Sequence, residues 1–490
     1  MSTTADSLVL PYVAGSRSAP SGAETLVLVN PATEEAFAEV ATSDEAQVDA
    51  AVDAAREAQK AWARLGPERR GELLWRWGEL VRDHAEELAR ADTATMGRPL
   101  RDTVNEAPSI ANRVRYWAGM ADKISGRQIP IAPGHLSYTV REPLGVVGII
   151  VPWNGPMGLF VGRVSVALAC GNGVVVKPSE LSPLSALRMA ELTAEAGIPE
   201  GLVNVVTGAA ETGARLAAHP RVDGLSFTGS VPTGRKVATL AAPTFKQVVL
   251  ELGGKAPNVV FADADLDAAV RGCVWGVFAN SGQACVATTR LLVERPAVEA
   301  VVERLVAVTQ GLRTGDPLDP TTHLGPLASQ AQFERVQSYL ELASEERART
   351  LVGGPSTHER GYYVEPTVLV DVEPEMRVAR EEIFGPVLAV LPFDGEDEAV
   401  ELANGVDFGL SANIWTRDVG RMLRMADRLD TGTIWGNTAR LLHPALPFGG
   451  FKSSGLGNAS GEGAIEANTR LKRVSILYGE NLRGPQWDER

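Results

Sequence analysis

The thiol of Cys285, the carboxyl group of Glu251 and the amide of Asn154 are three side chains that could act together on a carbonyl group. A thiolate attacks an electrophilic carbon, an amide N–H stabilises the oxyanion that results, and a carboxylate activates water. Cys285 ends the polar, glycine-containing segment 278–285 (FANSGQAC), which favours a reactive thiol over an inert buried one. The sequence therefore predicts a cysteine-based site for carbonyl chemistry.

The segments around these residues must bring them together, and their pattern is that of an α/β protein. Between residues 146 and 251, short apolar runs alternate with helix-length stretches, which indicates a parallel sheet covered on both faces. A second alternation follows residue 263, with predicted strands at 290–294 and near residues 368, 387 and 433. The apolar runs of the first alternation are 146–151, 174–176, 203–206, 224–227 and 247–250.

Other elements are predicted outside these two alternations. Amphipathic helices are predicted over residues 43–62 and 67–96, the second opening with a proline in its first turn. Residues 129–142 have a hairpin-like pattern, and residues 471–478 form a strand-like run near the carboxyl terminus. The last two segments belong to neither predicted sheet.

Eight short motifs follow one another along the sequence: VPWN (151–154), KPSE (177–180), FTGS (227–230), ELGGK (251–255), DADLD (263–267), FANSGQAC (278–285), EEIFGPV (381–387) and PFGG (447–450). In these motifs and their order the sequence resembles the aldehyde dehydrogenase superfamily over nearly its whole length. The resemblance implies an α/β fold with a Rossmann-like nucleotide-binding domain, an α/β catalytic domain and a small β oligomerisation segment. It places the NAD-binding domain at 1–124 and 146–251, the catalytic domain at 252–445, and the oligomerisation segments at 125–145 and 470–490.

The same resemblance implies NAD-dependent oxidation of an aldehyde to the carboxylic acid. Cys285 would form a thiohemiacetal and then a thioester, with the Asn154 amide and the Cys285 backbone N–H as oxyanion donors. Glu251 would activate the water that hydrolyses the thioester, and it distinguishes the chain from related CoA-acylating enzymes, which lack this acid. Two alternatives stay open: a CoA-acylating or carboxylated-semialdehyde dehydrogenase, and a non-catalytic protein of the same fold.

No G-x-G-x-x-G opens the predicted nucleotide domain, so the dinucleotide site is predicted from other residues. Gly229 and Ser230 follow a strand and begin a predicted helix whose free N–H groups suit a pyrophosphate, although a glycine turn with a serine cap has the same pattern. Lys177 and Glu180 follow another strand and could reach a ribose, or be solvated surface charges. Glu180 would repel a 2′-phosphate and so favours NAD over NADP. The resemblance adds these cofactor contacts: Trp153, Ser179, Gly213, Phe227, Glu382 and Phe384.

The predicted substrate pocket departs from that of the familiar broad-range members of the family. Gly155 and Gly162 stand where many relatives carry aromatic rings, which indicates a wide tunnel for a bulky hydrophobic or aromatic aldehyde. Arg163 occupies a position that is usually lysine, and it or Arg440 could bind a substrate carboxylate, so a semialdehyde substrate stays open. Segment 455–461 lacks the family's Gly-Arg-Glu-x-Gly, and a salt bridge made there is expected to be lost. The remaining predicted pocket residues are Met157, Leu159, Ala284, Leu441 and Leu442.

The composition fits a protein of two or more domains and argues against several kinds of partner. At 490 residues, with 44% hydrophobic and 22% charged residues, the chain is long enough for more than one core. A formal net charge of -14 and the lack of a basic block argue against nucleic acid as a partner. Three cysteines and six scattered histidines favour neither a disulfide framework nor a metal site.

The amino terminus and the apolar runs give expectations about location and assembly. The first residues lack a signal-peptide pattern, and no apolar run is long enough to cross a bilayer. We therefore expect a cytoplasmic protein with no membrane partner, whose small-molecule partner is an aldehyde. The family resemblance implies a homodimer or a homotetramer.

Overall fold

Two large β-sheets, each mainly parallel, form the body of the protein in the computed structural model, which describes residues 8–22 and 24–478. The helices are α1 (Glu45–Arg64), α2 (Pro67–Asp83), α3 (Ala85–Met96), α4 (Leu100–Met120), α5 (Pro156–Ala169), α6 (Leu184–Glu195), α7 (Ala210–Ala218), α8 (Val231–Ala241), α9 (Leu266–Phe278), α10 (Val298–Gln310), α11 (Gln330–Glu345), α12 (Arg377–Arg380), α13 (Gly395–Asn404), α14 (Val419–Arg428) and α15 (Gly461–Ala467). The strands are β1 (Leu8–Val9), β2 (Tyr12–Val13), β3 (Ser16–Arg17), β4 (Thr25–Asn30), β5 (Glu35–Ala41), β6 (His135–Pro143), β7 (Val146–Ile150), β8 (Gly173–Lys177), β9 (Val203–Val205), β10 (Gly224–Thr228), β11 (Gln247–Glu251), β12 (Pro257–Val260), β13 (Arg290–Glu294), β14 (Arg349–Gly354), β15 (Glu365–Val370), β16 (Val387–Phe393), β17 (Phe408–Gly409), β18 (Ser411–Trp415), β19 (Thr433–Gly436), β20 (Phe451–Lys452), β21 (Gly455–Leu456) and β22 (Thr469–Leu477).

The first sheet has the strand order β21-β11-β10-β7-β8-β9-β2-β3, and its central strands β11, β10, β7, β8 and β9 are parallel. Successive side chains of a strand point to opposite faces, so a strand covered on both sides is apolar throughout. Val146 and Ile150 pack in the core with α1, α7 and α8, whereas Val147 and Ile149 pack with α2, α4, α5 and α6. The predicted parallel sheet with helices on both faces is confirmed.

The connections of this sheet create a crevice beside its central strand. Strand β7 comes first of the five parallel strands in the chain, with β8 and β9 on one side of it and β10 and β11 on the other. The segments that leave β7 and β10 at their carboxyl ends therefore run in opposite directions along the sheet. Such a place is a topological switch point, where ligands bind in α/β proteins. Residues 151–154 follow β7, and Gly229 with Ser230 follow β10. The topology brings the predicted oxyanion donor and pyrophosphate site to one edge of the sheet.

The second sheet has the order β14-β15-β16-β13-β12-β18-β19, in which only β14 is antiparallel to its neighbour. Val259 and Val260 of β12 belong to two different apolar cores, so this sheet is also covered on both faces. The strand predicted at 290–294 is β13, and those predicted near 368, 387 and 433 are β15, β16 and β19. The second predicted alternation is therefore confirmed.

The helix predicted over 67–96 is wrong in one respect, because the chain forms two helices that meet at His84. The backbone of His84 has φ -100° and ψ 17°, and its Nδ1 contacts the Glu87 carboxylate in the first turn of α3 at 2.8 Å. The apolar spacing continues across this break, so the pattern alone did not reveal it. The helix predicted over 43–62 is α1, whose N-cap Asp44 accepts a hydrogen bond from the Gln47 N–H.

Strands β6 and β22 form a separate two-stranded antiparallel ribbon. The hairpin predicted at 129–142 is correct in part: the Ile129 N–H donates to the Ser137 carbonyl at 2.8 Å, but the main partner of β6 is β22. Residues 479–490 of the predicted oligomerisation segment lie outside the described residues. Among the helices that the structure describes, none combines the length and the apolar character needed to span a membrane.

Candidate active site

A cavity of about 1630 Å³ lies between the two sheets, where the switch point of the first sheet faces the second. Cys285, Glu251 and Asn154 all line this cavity. They arrive from three elements: the loop after α9, the end of β11 and the loop after β7. The fold therefore brings together the three groups that the sequence singled out.

The loop that presents Cys285 has an unusual backbone. Asn280, Ser281 and Gly282 follow one another with φ of 58°, 52° and 74°, in the left-handed region that non-glycine residues rarely adopt. A Cβ atom at Gly282 would lie 2.1 Å from the Gly385 carbonyl oxygen, so the loop packs directly on a neighbouring backbone. The Ser281 hydroxyl donates to the carbonyl of Gly325 at 2.8 Å. A strained segment held by such contacts fixes the direction of the thiol that follows it.

Glu251 is held close to the thiol loop by the glycines after it. A Cβ atom at Gly254 would lie 2.3 Å from the Cys285 carbonyl oxygen, so only glycine permits this approach. The Glu251 side chain is 2% exposed, and neither carboxyl oxygen has a hydrogen-bond partner within the described part of the chain. Burial raises its pKa to about 8, which the positive charge of Arg163 opposes. Glu251 is thus a buried acid that ionises just above neutral pH.

Of the cysteines, Cys285 alone lines the cavity, and Cys170 and Cys273 are buried in apolar cores. Burial and the carboxylates of Glu251 and Glu382 raise the pKa of the Cys285 thiol to about 12, while Arg440 and Arg163 act in the opposite direction. The thiol is therefore protonated in the free cavity. Positive charge near the sulfur is what would favour the reactive thiolate.

Asn154 is oriented by a small amide network. Its Nδ2 donates to the Gln283 carbonyl at 2.9 Å, and Asn280 Nδ2 donates to the Asn154 carbonyl at 2.9 Å. Gln283 is anchored in turn, because its Oε1 accepts from the Ala328 N–H at 3.0 Å. A primary amide has two N–H donors, so one donor of Asn154 is left for an oxyanion.

Arg163 forms a hydrogen bond to the altered segment 455–461. Its Nη1 donates to the Ala459 carbonyl at 3.0 Å and its Nη2 to Thr228 Oγ1 at 3.4 Å. The backbone of the altered segment therefore accepts a hydrogen bond from Arg163. Arg163 is buried by these contacts, lines the cavity, and lowers the pKa of the Glu251 carboxyl group through its positive charge.

The predicted pyrophosphate site has the geometry of an anion site. Ser230 caps α8, with its Oγ accepting from the Thr233 N–H at 3.4 Å, and both Gly229 and Ser230 line the cavity. A Cβ atom at Gly229 would lie 2.6 Å from the Phe227 ring, so only glycine fits against this ring. A helix N-terminus with free N–H groups favours phosphate oxygens, so the residues fit the pyrophosphate of a dinucleotide.

The other predicted cofactor residues fall into two groups. Trp153, Glu382 and Phe384 line the cavity; the Trp153 and Phe384 rings meet edge to face at 5.4 Å, and Glu382 Oε1 accepts from the Gly254 N–H at 2.9 Å. The members of the second group are not among the residues that line the cavity: Lys177, Ser179 and Glu180 at the end of β8, Gly213 on α7 and Phe227 on β10. Within this group, Lys177 Nζ is 3.3 Å from Glu180 Oε2.

The prediction that Met157 lines the substrate pocket is wrong. Met157 is 2% exposed in the core of the first sheet, and its N–H donates to Asp92 Oδ2 at 3.3 Å. Residues two apart on a helix point in different directions, so Met157 faces inward while Leu159 faces the cavity. The predicted pocket residues that line the cavity are Gly155, Leu159, Gly162, Arg163, Ala284, Arg440, Leu441 and Leu442.

Helix α4 contributes charged residues to the cavity that the sequence analysis missed, chiefly Glu106 and Arg113, with Trp117 beside them. Arg113 Nη1 donates to the Gly158 carbonyl at 2.9 Å, and a Cβ atom at Gly162 would lie 3.5 Å from the same nitrogen. A guanidinium therefore lies in the space beside Gly162, so the cavity has charged groups on this side in addition to the predicted apolar residues Leu159, Leu441 and Leu442. Spacings of seven and four along α4 place these residues on its buried face, where charged side chains are a signal of function.

The sequence matches the aldehyde dehydrogenase family over residues 18–474. It is 41% identical over 469 residues to a putative aldehyde dehydrogenase, DhaS, of Bacillus subtilis (strain 168), covering 95% of each chain. It is 43% identical over 453 residues to a betaine aldehyde dehydrogenase of Cereibacter sphaeroides, covering 92% of this chain and 94% of that one. The NAD+ complex of an aldehyde dehydrogenase from Bacillus cereus has a TM-score of 0.95 and 39% identity, covering 96% of this chain and 97% of the other.

Proposed function

The chain belongs to the aldehyde dehydrogenase family, and on that premise we propose that it oxidises a bulky aldehyde to the carboxylic acid with NAD. The observation that carries this proposal is the meeting of a thiol, a buried acid and an oriented amide in one cavity. Production of NADH across a panel of aliphatic, aromatic and carboxylated aldehydes tests it. NADH formation with none of them, despite NAD binding, would favour a non-catalytic protein of the same fold.

The proposed reaction assigns one task to each residue. The Cys285 thiol loses its proton to solvent, and its sulfur bonds to the carbonyl carbon while the C=O double bond becomes a C–O single bond. The resulting oxyanion is stabilised by Asn154 Nδ2 and the Cys285 backbone N–H. The chemistry that bound NAD would supply is acceptance of a hydride from the tetrahedral carbon, which leaves a thioester on Cys285. Glu251 then takes a proton from water, whose oxygen bonds to the thioester carbon while the C–S bond breaks and the sulfur recovers a proton.

The cofactor assignment follows from the two groups of residues described above. Gly229 and Ser230 would bind the pyrophosphate, Lys177 and Glu180 the adenosine ribose, and Glu382 the nicotinamide ribose. We accordingly assign residues 1–124 and 146–251 to the cofactor domain and 252–445 to the catalytic domain. The two sheets support this division, although β21 returns to the first sheet from a later part of the chain.

Replacing Glu180 with glutamine should raise the NADP-to-NAD ratio of kcat/KM by about five- to tenfold, because a carboxylate next to a 2′-phosphate costs ~1 kcal/mol even in water. Steady-state rates with both cofactors measure the ratio. Glu211→Gln is the matched control, since it removes the same charge from an exposed site of the same region. An unchanged ratio in Glu180→Gln would mean that another group contacts the ribose.

The hydrolysis rate should rise with pH through about 8, because Glu251 must be ionised to act as a base and its pKa is raised to about 8. In Arg163→Met the positive charge that lowers this pKa is removed, so the rise should move to higher pH. Arg163→Lys keeps the charge and should leave the profile near that of the wild type. Single-turnover hydrolysis rates between pH 6 and 10 provide the profile. An unshifted rise in Arg163→Met would mean that the charge of Arg163 does not influence the pKa of Glu251.

The size of the tunnel supports a bulky substrate. A Cβ atom at Gly155 would be 3.8 Å from its nearest neighbour, a Leu159 methyl group, so the volume next to Asn154 is open. The betaine aldehyde named for one relative carries a quaternary ammonium group, which aromatic faces and carboxylates bind. Here Arg113 and Arg440 line the same part of the cavity, so a cationic aldehyde is disfavoured.

The β6–β22 ribbon is our proposed subunit contact, in a homodimer or a homotetramer. Apolar side chains are exposed along β22, among them Leu471 and Ile476. An exposed two-stranded ribbon is rarely stable by itself, which supports a role in assembly.

A further inference from the structure

Three arginines and one glutamate line the cavity on the side formed by α4, the first turns of α5 and the loop around residue 440. They are Arg98, Arg113, Arg440 and Glu106, which we call the arginine cluster. The cluster has two positive charges in excess. It shares the cavity with Cys285, and the charge of Arg440 acts on the thiol pKa.

The two excess charges belong to Arg113 and Arg440. Arg98 forms an ion pair with Glu106, which accounts for the only carboxylate of the cluster. Among the described residues, Arg113 forms one hydrogen bond, to the Gly158 carbonyl at 2.9 Å, and Arg440 forms one, to the Ala279 carbonyl at 3.4 Å. Neither forms an ion pair with a carboxylate of the described chain. A guanidinium has five N–H donors, so most of their donors are free for a ligand.

Holding these charges in the cavity is unfavourable without a ligand. Burial lowers the pKa of Arg113, and it lowers the pKa of Arg440 to about 10. Arg440 also has φ 56°, a strained backbone conformation for a side chain of its size. Strain and uncompensated charge at one position are features of binding sites rather than of stabilising cores.

We propose that the physiological substrate is an aldehyde that carries a carboxylate, bound between Arg113 and Arg440 while its carbonyl carbon is at Cys285. Planar guanidinium groups pair with carboxylates through two parallel hydrogen bonds, which orients the substrate. Gly155 leaves room for the body of the molecule, and Leu159 and Trp117 provide apolar walls. This inference rests on the proposed aldehyde oxidation and specifies its substrate class.

The first test compares matched aldehydes on the full-length enzyme with NAD. In the wild type, kcat/KM for 4-formylbenzoate and for ω-oxo carboxylates of four to six carbons should exceed that for 4-methylbenzaldehyde and the corresponding alkanals by at least about tenfold. In Arg440→Gln and Arg113→Gln the ratio of kcat/KM for each charged aldehyde to that for its neutral match should fall to about one. This ratio is the quantity compared, because a change in the reactivity of the Cys285 thiol affects both substrates alike. Arg304→Gln, which removes the same charge from an exposed helix, should keep the preference.

The outcomes separate this inference from the proposed function. Equal kcat/KM values for charged and neutral aldehydes, in the wild type and in the variants, would overturn the carboxylate site and leave the proposed aldehyde oxidation standing. Absence of NADH with every aldehyde overturns the proposed function.

A second measurement does not depend on turnover. Binding of a non-reactive dicarboxylate, adipate or terephthalate, to the wild type should be detected by calorimetry and weakened at least about tenfold in Arg440→Gln. Arg440→Lys, which keeps the charge but loses the paired geometry, should fall between the two. Equal binding to all three proteins, or no binding to the wild type, overturns the site.

Discussion

Cys285→Ser should abolish aldehyde oxidation, lowering kcat/KM by more than about 10³-fold while leaving NAD affinity unchanged. A hydroxyl group is a far weaker nucleophile than a thiolate, and the candidate base Glu251 has a pKa raised to about 8, so it is itself mostly protonated at neutral pH. Serine is nearly isosteric with cysteine, so the strained loop 280–282 and the Asn154 network are expected to persist. NADH production measures the loss, and fluorescence titration with NAD measures the retained affinity.

Cys170→Ser and Cys273→Ser are the controls for this prediction. Both thiols are buried in apolar cores away from the cavity, so their variants should keep most of the activity of the folded protein. Near wild-type turnover by Cys285→Ser, or loss of activity in a folded Cys273→Ser, would assign the nucleophile to another residue.

Glu251→Gln should slow thioester hydrolysis by about 10²- to 10⁴-fold and leave hydride transfer nearly intact. Glutamine fills the same buried volume and cannot accept a proton from water. Rapid mixing should therefore show a burst of NADH equal to the number of active sites, followed by a slow steady state. Steady-state turnover alone would not distinguish slow hydrolysis from slow attack, so the burst amplitude is the quantity to measure.

Hydroxylamine provides the control for the Glu251 variant. It cleaves thioesters without a general base, so it should restore turnover in Glu251→Gln and have little effect on Cys285→Ser. Loss of the burst itself, with no rescue, would mean that Glu251 activates the Cys285 thiol before the aldehyde is attacked.

Much of the fold could be predicted because the strands of a doubly covered sheet are apolar at nearly every position. Val146–Ile150 and Arg290–Glu294 were predicted to within one residue for this reason. The same logic failed at His84, where the apolar spacing continues from α2 into α3 although the backbone of His84 leaves the helical conformation. Hydrophobic spacing reports which face is buried and carries little information on where one helix ends and the next begins.

The candidate site could be predicted only where residues follow strands or glycine turns. Arg113 lies more than forty residues before Gly158 in the chain and reaches it because α4 packs against α5, a contact that no local pattern indicates. Met157 was misplaced for the related reason that an apolar residue near a pocket suits the core equally well. The hydrogen bond from Arg163 to the Ala459 carbonyl could not be predicted, because every residue has a backbone carbonyl and the sequence does not indicate which one accepts.

The most direct test of the account is the mass of the intermediate on Cys285. Glu251→Gln is mixed with NAD and an oxidisable aldehyde, quenched in acid after the burst, and analysed by intact-protein and peptide mass spectrometry. The account predicts an increase equal to the acyl group, on the peptide that contains Cys285, removed by hydroxylamine and absent when NAD is left out. NADH formation with no acylated Cys285, or an acyl group on another residue, would contradict it.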